Sequence, residues 1–192
     1  GYTVAQIFEL LEKNEVATAA ALSEAATNTS FSYDFIDDST IGNPQRLEGF
    51  LFPDTYTFYV GDDATRVIKK MLANFNNKWT AEYSERATQL GYSVNDIVNI
   101  ASMIEREAAD DSERATIASV IYNRLKNRNF LYLNIDATIY YAMSLTGEEF
   151  STKIESPYNT YYVQGLPAGP IANPGIASIK AALYPEKTDY YY

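Results

Sequence analysis

Glu105 stands in Ala101-Ser102-Met103-Ile104-Glu105-Arg106-Glu107-Ala108, at the end of a run with helical spacing. Val94, Ile97, Val98, Ala101 and Ile104 mark one face of that helix, and extending the face at 3.6 residues per turn brings Glu105 round to it. Glu107 falls about 200° further round the axis, so the two acids cannot share a target and Glu107 belongs nearer the rim. A carboxyl group on an apolar face needs a partner cation, several hydrogen bonds, or a raised pKa that keeps it protonated. The last of these makes a general acid. The first makes a structural ion pair, which is the commoner outcome on periodicity alone, and Arg106, Arg114 and Arg124 are close in sequence.

The chemistry open to the rest of the chain is narrow. There is no His and no Cys, which removes the usual general base, thiolate nucleophiles, disulfides and zinc ribbons. Catalysis therefore falls to carboxylates, hydroxyls, amides or Lys, with neither cofactor nor metal expected. Glu48 lies inside the aromatic run Leu47-Glu48-Gly49-Phe50-Leu51-Phe52-Pro53-Asp54-Thr55-Tyr56-Thr57-Phe58, where an acid needs a partner or a task. Asn159, Thr160 and Tyr161 offer donors and acceptors beside ring faces, as sugar recognition requires, and the 17 Tyr suit the same ligands. The 15 basic against 25 acidic residues, a net charge of -10, argue against nucleic acid as a partner.

These residues must be held by a core, which 192 residues at 46% hydrophobic content can build. Thr3 caps a first helix with Ile7, Leu10 and Leu11 as its stripe and Asn14 at its end; a second runs from Ala19 to Ala26. Phe31 to Ile36 alternates as a strand would, and Ser39 to Pro44 reads as a linker, giving a boundary near residue 45. Tyr56 and Phe58 fall on one face of a second expected strand. A helix follows with Ile68, Met71, Leu72, Phe75 and Trp79 buried, then a short one through Tyr83, Ala87 and Leu90 that ends at Gly91. Ser93 and Asp96 form a capping box for the Glu105 helix. After Asp110-Asp111, a further helix turns Ile117, Val120, Ile121 and Leu125 inward. From Phe130 onward the texture changes to strands and Pro/Gly loops of the kind that build binding surfaces.

Six segments together resemble the YceG-like, MltG-type endolytic murein transglycosylases: Leu47 to Tyr56, Ala101 to Ala108, Val120 to Leu125, Leu133 to Thr138, Tyr158 to Tyr161 and Gly165 to Gly175. They occur in the family's order over about three quarters of the chain. Asn134 stands where the family commonly has Gln, and Ala168 where it commonly has Pro. The N-terminal hairpin resembles the later part of a LysM-like module.

The pattern of elements predicts an α+β protein, with a helical core carrying Glu105, which the resemblance makes the catalytic Glu, and with strand and loop segments forming the cleft. Residues 1–45 would be a partial LysM-like module and residues 46–192 the catalytic domain, truncated at its C-terminus. The resemblance implies an enzyme that cleaves MurNAc–GlcNAc bonds within nascent peptidoglycan strands and leaves 1,6-anhydro-MurNAc ends. Glu105 matches the family's catalytic glutamate. Glu48, Tyr56, Glu107, Asn123, Asn134, Asp136, Tyr158, Asn159 and Tyr161 are the substrate-binding candidates. Glycan strands are the expected partner, with peptidoglycan synthases a further one. The expected location is the outer face of the cell membrane, through an N-terminal anchor outside this sequence. Two other readings remain open: a catalytically silent peptidoglycan-binding scaffold, and a lysozyme-like hydrolase in which Glu48 or Asp136 folds close to Glu105.

Overall fold

Each of the first five long helices starts where a short polar side chain can take an orphan N–H. Thr3, Thr18, Asp63, Thr80 and Ser93 accept from the backbone of α1 (Val4–Lys13), α2 (Ala19–Asn28), α3 (Ala64–Lys78), α4 (Ala81–Leu90) and α5 (Val94–Glu107). Thr3 with Gln6 and Ser93 with Asp96 complete capping boxes, and Gly91 ends α4 in the left-handed conformation. Three more helices follow: α6 (Arg114–Lys126), α7 (Asp136–Thr146) and α8 (Ile176–Leu183). The computed structural model describes residues 1–192.

At the centre is α5, buried all round from Ile97 to Ile104, as a helix is when elements cover every face. It packs most extensively on α8 and also on α6, α7 and α4, while α1 and α2 form a hairpin whose second helix lies on α3. Val4, Phe8 and Leu11 of α1 and Leu22 of α2 join the same continuous core as Phe50, Ile104 and Leu183. Phe35, Phe50 and Phe75 meet at ring-centroid distances of 4.7 to 5.2 Å in stacked and edge-on contacts, the geometry aromatic quadrupoles favour.

The α+β expectation fails. The chain is 51% helix and has no sheet; its only ladder pairing is an isolated bridge between Tyr132 and Gly165. Phe31 to Ile36 does send Phe31, Phe35 and Ile36 into the core, but no second strand lies beside it and it remains an irregular segment. Tyr56 and Phe58 likewise stack on each other outside any strand. The largest correction falls on Asp136 to Ala142, whose β-branched and aromatic residues suggest a strand. It is the start of α7, with Thr138, Ile139, Tyr141 and Ala142 buried at helical spacing. The inward face of α6 is wider than expected: Ile121 is buried and Ile117 and Leu125 pack against the core, but the burial extends further round the helix. Ala118, Ser119, Ile121, Tyr122 and Arg124 are buried, because the C-terminal segment runs along that side and bonds to it through Ser119 and Asn123. No helix is long and apolar enough to cross a membrane.

Gly49 shows how closely the aromatic segment is fitted to α5. Its φ is +100°, and a Cβ there would sit 2.7 Å from both Val98 Cγ1 and Pro170 Cγ. Only glycine has both the conformation and the clearance. Gly49→Ala is therefore expected to lose about 2 to 6 kcal/mol from backbone strain and overpacking together, measured by denaturant unfolding; a loss below about 1 kcal/mol would contradict this fit.

Candidate active site

Glu105 occupies the last turn of α5, half-buried, with three donors on its carboxylate. The Gly175 N–H donates to Oε1 at 2.8 Å, and Arg114 Nη1 at 2.8 Å and Ser178 Oγ at 3.1 Å donate to Oε2. Arg114 also donates to the Ser178 hydroxyl and, through Nε, to Asp111 at 2.9 Å. The Glu105 and Arg114 side chains are only 13% and 17% exposed, so this ion pair is shielded from water. Arg114 opens α6, while Gly175 is the N-cap of α8 and Ser178 lies in its first turn. The α8 N-terminus is directed at the carboxylate, which favours its charged form.

Burial is the strongest single influence on Glu105 and pushes its pKa up. The Gly175 N–H, Arg114 and Ser178 oppose it, and the carboxyl lies below its usual range. Gly1 lies against the site: a Cβ built on it would be 2.7 Å from Glu105 Cγ. In the free protein Glu105 is thus an oriented, ionised carboxylate.

Behind this group lies a second buried carboxylate. Glu48 is 3% exposed and accepts from the Val4 N–H (2.9 Å) and Asn173 Nδ2 (3.0 Å) on Oε1 and from the Tyr141 hydroxyl (2.8 Å) on Oε2. Burial, countered in part by these bonds, raises its pKa to about 7. It borders a cavity of about 430 Å³ with Thr3, Arg106, Tyr141 and Ser144. Tyr158 packs edge-on against Tyr141 at 4.8 Å and is buried, which with the nearby Glu48 charge raises its pKa to about 12.

Glu107, Asn134, Asp136 and Tyr161 gather on a different side of the α5 terminus. Glu107 is exposed, and its pKa is raised, first by desolvation and then by Asp136. Glu107 and Asn134 line a cavity of about 610 Å³ with Arg124, Tyr191 and Tyr192. The Tyr161 hydroxyl donates to Asp136 at 2.6 Å, and that bond raises its pKa to about 12. Asn134 takes a left-handed φ of +54°, which its short amide side chain tolerates.

The remaining candidates hold structure together. Asn159 is fully buried, donating to the carbonyls of Thr152 and Ile154 and accepting from the Tyr161 N–H. Asn123 donates to the carbonyls of Thr188 and Tyr190, tying down the C-terminal segment. Tyr56 receives a hydrogen bond from Asn74 at 2.9 Å and borders a groove of about 760 Å³ with Phe52, Phe58 and Leu10. Sequence reasoning misses Asn173, Gly175 and Ser178, because α8 goes unrecognised behind the Pro/Gly run. The signal was present: Ile176, Ile179 and Leu183 recur at helical spacing directly after Gly175.

The model of the YceG-like family matches residues 1–192 of this sequence. The chain belongs to the YceG-like family. It is 42% identical over 149 residues to the endolytic murein transglycosylase of Bacillus subtilis (strain 168), a match covering 76% of this chain and 41% of that protein. It is 35% identical over 159 residues to the endolytic murein transglycosylase of Streptococcus pneumoniae serotype 2 (strain D39 / NCTC 7466), covering 79% of this chain and 28% of that one. The chain thus spans less than half the length of these curated relatives. The crystal structure of a YceG-like protein from Listeria monocytogenes superposes over 100% of this chain and 66% of its own with a TM-score of 0.81 at 35% identity.

Because Arg114 is among the groups that overcome the burial of Glu105, Arg114→Gln is expected to raise the Glu105 pKa. The check is a ¹³C NMR titration of the carboxyl, assigned by its absence in Glu105→Gln. A group with a depressed folded pKa contributes stability above its unfolded value of about 4.3, lost as pH falls through the folded pKa. The same variant should therefore show a weaker loss of stability on that acidic side, and an unchanged Glu105 pKa would contradict the assignment.

Proposed function

We propose that the chain is the catalytic portion of an endolytic lytic transglycosylase acting on peptidoglycan glycan strands, with Glu105 as its acid and base. The observation that carries this reading is the setting of Glu105: a half-buried carboxylate at the end of a core helix, fixed by three donors. A glycosidase that hydrolyses by the usual routes pairs two carboxyl groups about 5 to 9.5 Å apart. A transglycosylase needs one, because the C6 hydroxyl of MurNAc serves as the nucleophile.

In this reading Glu105 protonates the departing GlcNAc oxygen and then, as carboxylate, takes the C6 hydroxyl proton, closing the 1,6-anhydro ring. The free carboxylate must first gain a proton. A glycan laid over it adds to the burial that already pushes its pKa up, so substrate binding itself favours the acid form. The Gly175 N–H, Ser178 and Arg114 then stabilise the carboxylate after proton transfer. Glu107, Asn134, Asp136 and Tyr161 are exposed or half-buried and can hold sugar hydroxyls on the neighbouring surface. The printed names of the Bacillus and Streptococcus relatives support the same activity. Work on murein lies outside the cytoplasm, and the membrane anchor and synthase partners belong to this proposal as well.

One observation favours a second reading, a peptidoglycan-binding scaffold in which Glu105 is structural: it is already ion-paired with Arg114. Glu105→Gln separates the two. As acid and base, Glu105 should leave folding largely intact on replacement while release of anhydro-muropeptides from purified glycan strands falls by roughly 10² to 10⁴. Turnover at the parent rate, or reducing ends in place of anhydro ends, would overturn the proposal.

A further inference from the structure

Glu48 and Glu105 share no partner atom, yet they grip the two ends of one short segment. Asn173 is 1% exposed and its side-chain amide is saturated. Nδ2 donates to the Tyr2 carbonyl (2.9 Å) and to Glu48 Oε1 (3.0 Å), while Oδ1 accepts from the Gly49 N–H (2.9 Å) and the Leu51 N–H (3.0 Å). Only Pro174, itself buried and with φ fixed by its ring, separates Asn173 from Gly175, whose N–H donates to Glu105 Oε1. We infer that Glu48 is a positioning residue for Glu105, acting through Asn173 and Pro174 to set the Gly175 N–H on the carboxylate. The inference rests on the catalytic reading of Glu105 for its consequence on rate, and on geometry alone for the coupling.

An acceptor, rather than a charge, is what this role requires. Both donors that define the segment's position, Val4 N–H and Asn173 Nδ2, fall on Oε1. Oε2 faces the Tyr141 hydroxyl, which can donate to a carboxylate or accept from a protonated acid. The groups facing Glu48 are Tyr141 and Tyr158, with Arg106 on the wall of the same cavity; those facing Glu105 are Arg114 and, through Arg114, Asp111. Glu48 titrates near neutrality without losing its Oε1 acceptor, so the link to Asn173 holds in either protonation state. Glu48→Gln reproduces the protonated arrangement, with its amide donating to Tyr141. Glu48→Leu fills the space and removes the acceptor.

The test reads the Glu105 pKa by carboxyl ¹³C NMR alongside kcat and KM on purified glycan strands. Glu48→Leu should raise the Glu105 pKa, because the Gly175 N–H no longer holds it down. It should also lower kcat by about tenfold to a hundredfold, the scale of small misplacements at a reacting centre, with KM little changed. Glu48→Gln should match the parent in both readouts, a rescue that a need for buried charge would not give. Pro174→Gly, which leaves the Glu48 and Asn173 contacts in place but loosens the link, should shift the Glu105 pKa in the same direction, and it carries the test if Glu48→Leu does not fold. A parent-like Glu105 pKa in the folded Leu or Gly variant overturns the inference, as does a Gln variant as impaired as Leu. A raised pKa together with a fully active Glu105→Gln protein upholds the coupling and overturns only the function assigned to Glu105.

Discussion

The Asn173 amide cannot turn without unpairing the buried backbone of Gly49 and Leu51 on one side and the Glu48 carboxylate on the other. Each buried donor or acceptor left unpaired costs about 1 to 3 kcal/mol, so this one side chain is held by several independent penalties. Through it the aromatic segment, the start of the chain and the turn into α8 become one unit. The core depends on the same arrangement, since α8 covers α5 only if the chain leaves Asn173 in the right direction. Gly49 completes the fit by letting the backbone pass against Val98 and Pro170 where any side chain would collide.

Glu105 illustrates how position and electrostatics are set together. Its helix fixes where the carboxyl group lies, and the elements that meet at its end decide its charge. Burial alone would raise its pKa, but a helix N-terminus and a shielded guanidinium reverse that direction. Glu48, buried more deeply and given neutral donors only, ends near neutrality. Two glutamates of one small domain thus differ through their partners: a cation and a helix terminus for one, a hydroxyl and amides for the other.

The helices were legible wherever a cap and a periodic stripe coincide, as at Ser93 with Asp96 and at Thr3 with Gln6. The inward turn of Glu105 followed from the same periodicity. What failed was the assignment of strands from residue type. Phe31 to Ile36 and Asp136 to Ala142 carry β-favouring residues, but such preference measures packing on a pleated surface, and no sheet is present to supply one. The site's other half was hidden because long-range partners leave no local trace. Arg114, nine positions from Glu105, was among the nearby cations, but Gly175 and Ser178 lie 70 and 73 positions away, and Asn173 bonds across 125 positions to Glu48. Asn159 and Asn123, polar residues suggestive of ligand contact, satisfy backbone carbonyls that irregular segments leave exposed to the core.

The most direct measurement of the central claim is a crystal structure of the Glu105→Gln protein with an uncleaved glycan fragment bound. The account expects a glycosidic oxygen within about 3 Å of the residue-105 amide, the reach proton transfer requires, with the sugars extending toward Glu107 and Asn134. A glycan bound with its glycosidic oxygens out of reach of residue 105, and Arg114 still enclosing that side chain, would contradict it.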